Sequence, residues 1–226
     1  MARLEPEKRT NAYRTKTGLG FILLGIILSP IPTAALYGGL SLIGGVVLVF
    51  LGRRAFGAKH QRYALWSFVL IIGGVVSELA GSFVLGLMFA LSLSNGVDPA
   101  SALSSFFLTL NLMLIVIDAI LTLGLVFLTY DLQNSTGRTI LWAAYFLGIL
   151  MNMILAVVIF SQVQAVSAEV VSQVGTARDA VGLITYMFAP WRLLQLIPAI
   201  FYAIAYYKTR SSVEKRVVLE SGSAMH

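Results

Sequence analysis

Long apolar runs alternate with short polar, basic segments along this chain. The first run extends from Gly18 to Phe50 and is closed by Arg53 and Arg54. As one straight helix its 33 residues would be about 50 Å long, against roughly 30 Å for the hydrocarbon core of a bilayer. It is broken near its middle by Ser29-Pro30-Ile31-Pro32-Thr33, where two prolines disfavour an uninterrupted helix. The pattern predicts a helical hairpin over 18–33 and 36–52, its turn on the side away from both basic ends. Residues 63–93 and 101–130 form the third and fourth runs. Between them Ser94-Asn95-Gly96-Val97-Asp98-Pro99 reads as a turn, with Asp98 placed to cap the next helix and Pro99 at its first position. Asp131 to Arg138, containing Asn134, Ser135 and Gly137, is a second turn, and a fifth run covers 139–161. Over 161–180 Val163, Val166, Val170 and Val174 recur at helical spacing among Gln162, Gln164, Ser167, Glu169, Ser172 and Gln173. That is an amphipathic helix, which either carries the fifth run out of the membrane or lies on the surface, and which Gly175 ends. The sixth run covers 181–207.

Composition turns these runs into spans. Of 226 residues, 58% are hydrophobic and 12% charged, whereas soluble domains carry about 25% charged residues. A span needs about 20 apolar residues, so six would use most of the chain. The expectation is an all-α polytopic membrane helix bundle: six transmembrane helices within 18–207, a basic tail over 1–17 and another over 208–226, with no second soluble domain. A secretory signal over the first 35 residues, with its basic start and the small residues Thr33-Ala34-Ala35, is the rival reading; the apolar run continuing past that point argues against it.

Charge supplies the direction. The two tails, the 53–62 linker and the 131–138 turn fall on one side of a six-span bundle. That side receives fourteen of the sixteen Lys and Arg residues; the opposite loops hold Arg178, and Arg192 lies within the sixth run. The positive-inside rule then places both termini in the cytoplasm of a multi-pass cell-membrane protein. Tyr63, Trp66, Tyr130, Trp142, Tyr145, Tyr202, Tyr206 and Tyr207 cluster at the same ends, as an interfacial aromatic belt would. The net charge of +6 is assigned to orientation and to anionic lipid headgroups on the cytoplasmic face. No basic module of domain size suggests nucleic acid. The chain has no cysteine, which excludes disulfides and thiolate ligands. His60 and His226 have no partner at ligand spacing, so neither a metal nor a cofactor is expected. No nucleophile elbow, zincin motif or phosphate-binding glycine loop occurs. Asn134-Ser135-Thr136 matches a glycosylation acceptor in form only, on the cytoplasmic side of the predicted topology.

The candidate chemistry lies at bilayer depth. Glu78, Asp118 and Arg192 fall within predicted spans, where a charge costs at least about 2.5–3.5 kcal/mol. Counted from the nearest basic-side anchors, they and Asn152 all lie roughly 20–24 Å in, on four different helices. Gly74, Gly81 and Ser82 share the stripe of Glu78; Asn111, Thr122 and Thr129 share that of Asp118; Thr185 and Gln195 share that of Arg192. Pro190 and Pro198 flank Arg192 and are expected to kink its helix. The sequence therefore predicts one intramembrane network of Glu78, Asp118, Asn152, Arg192 and Gln195, with the Arg192 guanidinium within about 4 Å of Glu78 or Asp118 or joined to one of them by a single water. The alternative is that Arg192 snorkels outward to the outer headgroups or Asp179. As a structural tie, the network suits a non-enzymatic accessory, structural or scaffold subunit that meets the bilayer and other membrane subunits or itself. As a water-accessible path, it suits a small transporter or channel.

One stretch carries a resemblance. GLGFILLGIILSPIPTAALYGGLSLIGGVVLVFLGRR followed by AFGAKHQRYALWSFVL resembles the opening of archaeal multi-pass membrane families of unknown function. Those begin with a glycine-rich hairpin broken by prolines, then a basic linker into a third span. The resemblance covers Gly18 to Leu70 and implies no activity, so no functional residue is carried over from it.

Overall fold

The computed structural model describes residues 6–31, 33–173, 179, 182–183, 186 and 189–222. They form α1 (Pro6–Leu28), α2 (Ala35–Gly52), a 3₁₀ turn (Arg53–Phe56), α3 (Ala58–Ser94), α4 (Pro99–Tyr130), α5 (Ser135–Gln173), a 3₁₀ segment (Ala189–Gln195) and α6 (Leu196–Gly222). Among the described residues there is no strand. Among the described residues four stretches are long and apolar enough to cross a membrane: Ala35–Phe56, Ala58–Ser94, Pro99–Tyr130 and Ser135–Ser172. α1 and α6 fall short of that measure because about half of each is built from the charged terminal segments.

The segment read as a basic tail over 1–17 is helical from Pro6. Packing explains why. Asn11, Ala12 and Thr15 are buried, and Gly52 of α2 comes against the Asn11 carbonyl and Thr15. On the other side, Lys16 Nζ lies 2.7 Å from Glu214 Oε1 of α6. That hydrogen bond, reinforced by the ammonium charge, holds the Glu214 carboxyl below its ordinary range.

α1 stops at Leu28, two residues before Pro30, and α2 returns along it. The hairpin is set by glycines seven residues apart. A Cβ on Gly18 would lie 2.6 Å from the Gly45 carbonyl oxygen, and one on Gly25 would lie 2.8 Å from that of Gly38. The pairs 18/45 and 25/38 keep one antiparallel register, and the contact of Gly52 with Asn11 continues it. Only residues without a side chain permit backbones this close, which is how helices gain packing contact in lipid.

α3 and α4 form a second hairpin. Gly96, at φ 78°, makes the turn in a conformation that glycine adopts without strain. Asp98 caps α4 by accepting a hydrogen bond from Ser101 N (2.9 Å), with Pro99 at the first position. That bond lowers the Asp98 pKa. Gly74 makes room for Leu121, Gly81 for Met113 and Gly124 for Ile71, again a single register. α5 is 39 residues long, about 58 Å, so it outreaches a bilayer core. The amphipathic stretch is its direct continuation: Val163, Ser167 and Val170 are buried against the first turns of α4. Val174 and Gly175 lie outside the described residues.

The helices neighbour one another in the order α2, α1, α6, α5, α4, α3, with a light contact closing α3 on α2. Two apolar clusters result. At the basic end Leu19, Ile22, Val46, Val49, Ile71, Val126, Leu128, Leu141 and Tyr206 are fully or nearly fully enclosed. At the opposite end Leu103, Phe107, Leu155, Ile159, Val163 and Val170 pack together.

The tyrosines of α6 depart from the expected aromatic belt. Tyr202 and Tyr206 are buried, whereas Trp66 and Tyr207 are exposed. Tyr206 Oη donates to the Leu125 carbonyl (2.7 Å) and Tyr202 Oη to that of Thr122 (3.5 Å). One turn apart, the two rings share the inner face of α6, where their hydroxyls reach carbonyls of α4. Gln133 adds a third tie, its Nε2 donating to the Ala205 carbonyl (2.9 Å).

Candidate polar layer between the two apolar clusters

Between the two apolar clusters the bundle holds a short run of polar side chains. Three elements supply it. Asp118 lies on α4, past the last residues of the far cluster and before Leu121 and Leu125 of the basic-end one. Asn152 lies on α5, between Tyr145 and Leu155. Gln195 closes the 3₁₀ segment that leads into α6. Asn152 Nδ2 donates to Asp118 Oδ2 at 3.3 Å, and Gln195 Nε2 donates to Asn152 Oδ1 at 2.9 Å. The Asn152 amide thus serves as donor to one helix and acceptor from another element, using its NH2 and its carbonyl oxygen at no net charge. All three residues are half-buried. On the same stripe of α4, Thr122 Oγ1 donates to the Asp118 carbonyl at 2.5 Å.

Glu78 behaves differently. By the α3–α4 register it stands level with Val116 and Ile117, next to Asp118. It is half-buried, and among the described residues it makes no hydrogen bond or ion pair. The Arg192 backbone belongs to the 3₁₀ segment, but its side chain lies outside what the structure describes, as does Thr185. Pro190 sits inside that 3₁₀ segment and Pro198 in the first turn of α6. At the start of a helix the missing proline N–H has no partner to lose. Pro198 also packs near Gly148 of α5, one turn from Asn152.

Outside this layer, His60 at the start of α3 is fully buried, edge-on to Phe56 with ring centroids 5.5 Å apart. Neither of its ring nitrogens has a hydrogen-bond partner among the described residues. No group of three metal-ligating side chains occurs among the described residues. At the basic end Arg138 donates to the Tyr130 carbonyl (3.0 Å) and lies over its ring, and Lys59 approaches Asp131 at 3.6 Å.

These features define an all-helical bundle in which direct amide and carboxylate hydrogen bonds join three helical elements between two apolar cores. No family model, no curated protein and no solved structure matches the chain.

Proposed function

We propose that the protein is a non-enzymatic, multi-pass subunit of the cell membrane that serves an accessory, structural or scaffold role within a larger assembly. In this reading α1 and α6 complete a six-span bundle with both termini cytoplasmic. The observation that carries it is the direct joining of the polar layer: Asn152 donates to Asp118 and accepts from Gln195 across three elements. Polar groups in lipid need such partners. The broad exposed apolar faces of α2 and α3, including Leu36, Leu40, Val76, Leu79, Phe83 and Leu87, suit contact with acyl chains or with other membrane helices.

One observation favours a second reading, a small transporter or channel. Glu78 places a carboxyl on the apolar stretch of α3 without a partner among the described residues, and an ionisable group at that depth marks a functional pathway more often than not. Purification in mild detergent with mass measurement of the intact particle separates the two. The assembly reading expects a particle of fixed stoichiometry, with copies of itself or another membrane chain, that is silent in a liposome flux assay. A single-copy particle that carries solute, and loses that activity in Glu78→Gln, would establish transport instead.

The orientation has its own test. The chain contains no cysteine, so single cysteines report cleanly. Cysteine at Ser135 or Ser211 is expected to react only from the cytoplasmic side, and cysteine at Ser94 or Ser172 only from outside. Labelling of positions 94 and 135 from the same side would rule out the arrangement.

A further inference from the structure

A groove of about 320 Å³ opens between α1 and α6 at the basic end, lined by Lys16, Thr17, Gly20, Phe21, Leu24 and Arg210. Its chemistry is graded along the helix axis. Lys16 and Arg210 stand at the polar end. Phe21 and Leu24, both broadly exposed, continue into the apolar stretch, and the eight helical steps from Lys16 to Leu24 span about 12 Å. Gly20 lets the Arg210 guanidinium lie against α1: a Cβ there would touch it, at 3.6 Å.

The cations differ in what they have left to give. Lys16 already donates to Glu214 at 2.7 Å. Arg210 Nε is buried and has no hydrogen-bond partner among the described residues. A guanidinium is a planar fork suited to two oxygens of one phosphate, and an ammonium retains two further donors after one bond. With Glu214 counted, the cluster still carries one positive charge.

We propose that this groove binds one anionic glycerophospholipid. Its phosphate lies against Arg210 with Lys16 beside it, and an acyl chain runs from there along Phe21 and Leu24. The volume is at the small end of ligand pockets, roughly 300–1,000 Å³, which fits a headgroup whose tails remain in the bilayer. The proposal goes beyond the assembly reading and does not depend on it. It needs only the basic end to lie at a membrane surface, where basic residues attract anionic lipid.

The test is native mass spectrometry of the full chain, delipidated in nonionic detergent and titrated with phosphatidylglycerol or with phosphatidylcholine of the same acyl chains. A first phosphatidylglycerol is expected to bind about tenfold more tightly than phosphatidylcholine, because both carry the phosphodiester but the choline cation is repelled by the net positive cluster. Arg210→Gln is expected to abolish that preference. Gly20→Leu, which keeps both charges but crowds the Arg210 guanidinium out of the groove, is expected to weaken phosphatidylglycerol binding to a similar degree. Glu214→Gln removes the competing carboxylate and is expected to strengthen it several-fold, an outcome that misfolding cannot mimic. Equal binding of the two lipids to the native chain, or a preference that survives Arg210→Gln, overturns the proposal. So does displacement of phosphatidylglycerol by equimolar glycerol 1-phosphate, which would mark a site for soluble phosphate rather than lipid.

Discussion

Gly45→Leu is expected to unseat α2 from α1 and to destabilise the bundle by about 3 kcal/mol or more, the top of the range for overpacked cores. The added Cβ would lie 2.6 Å from the Gly18 carbonyl oxygen and 2.7 Å from Ile22 N. Neither is the tip of a flexible side chain, so relief requires one helix axis to move. Movement is costly because the register is locked at both ends: Gly25 against Gly38 towards the turn, and Gly52 against Asn11 and Thr15 at the basic end. The adjacent residue supplies the control. Gly44 is exposed, and a Cβ there meets nothing within 4 Å. Gly44→Leu is expected to be neutral, or stabilising by up to about 1 kcal/mol from the higher helix propensity of leucine. Reversible unfolding of both variants in mixed micelles checks the pair. Similar losses at positions 44 and 45 would mean that glycine itself, and not the close approach, is what this hairpin needs.

Much of the element layout was legible because single residues punctuate it. Pro30 ends α1 nearby, Asp98 and Pro99 open α4, and Asn134 and Ser135 mark the start of α5. These signals act locally and do not require the rest of the fold. Three features were hidden for the opposite reason. The helix over residues 6–17 rests on burial of Asn11 and Thr15 against Gly52 and on Lys16 meeting Glu214 about two hundred residues away; without those partners the segment reads as a charged tail. Tyr202 and Tyr206 fit either a membrane-surface belt or a core, since the ring is apolar and the hydroxyl polar. Only the nearness of the Thr122 and Leu125 carbonyls decides for the core. Gln133 sat inside a turn, where a polar residue needs no explanation, so nothing local marked its bond to Ala205.

The polar layer shows the same limit more sharply. Counting along helices gives depth, and depth put Glu78, Asp118, Asn152 and Arg192 on one level. Rotation about each helix axis is not given by counting. The structure joins Asp118, Asn152 and Gln195. It leaves Glu78 on the neighbouring helix at the same height without a hydrogen bond among the described residues.

Asn152→Leu is the substitution that should reveal what the layer does. Leucine keeps the branched four-atom skeleton of asparagine but replaces its amide O and NH2 by two larger methyl groups, so two hydrogen bonds are lost at once. The Asp118 carboxylate loses its 3.3 Å donor and the Gln195 amide its 2.9 Å acceptor. A buried polar group left without its partner costs about 1–3 kcal/mol, more when charged. The expected loss is therefore about 2–3 kcal/mol, since all three residues are only half-buried. Removing the partners should return part of it. In a double-mutant cycle Gln195→Leu added to Asn152→Leu is expected to cost less than the two single changes together, by about 0.5–1.7 kcal/mol, the scale of hydrogen bonds between membrane helices. Asp118→Leu added to Asn152→Leu should show coupling as well, because it removes the acceptor of the same hydrogen bond. Thermal or denaturant unfolding in micelles measures every corner of the cycle. Strict additivity would show that the bonds do not hold the helices together. An Asn152→Leu chain of native stability that fails in liposome flux would shift the assignment from a structural tie to a conduction path.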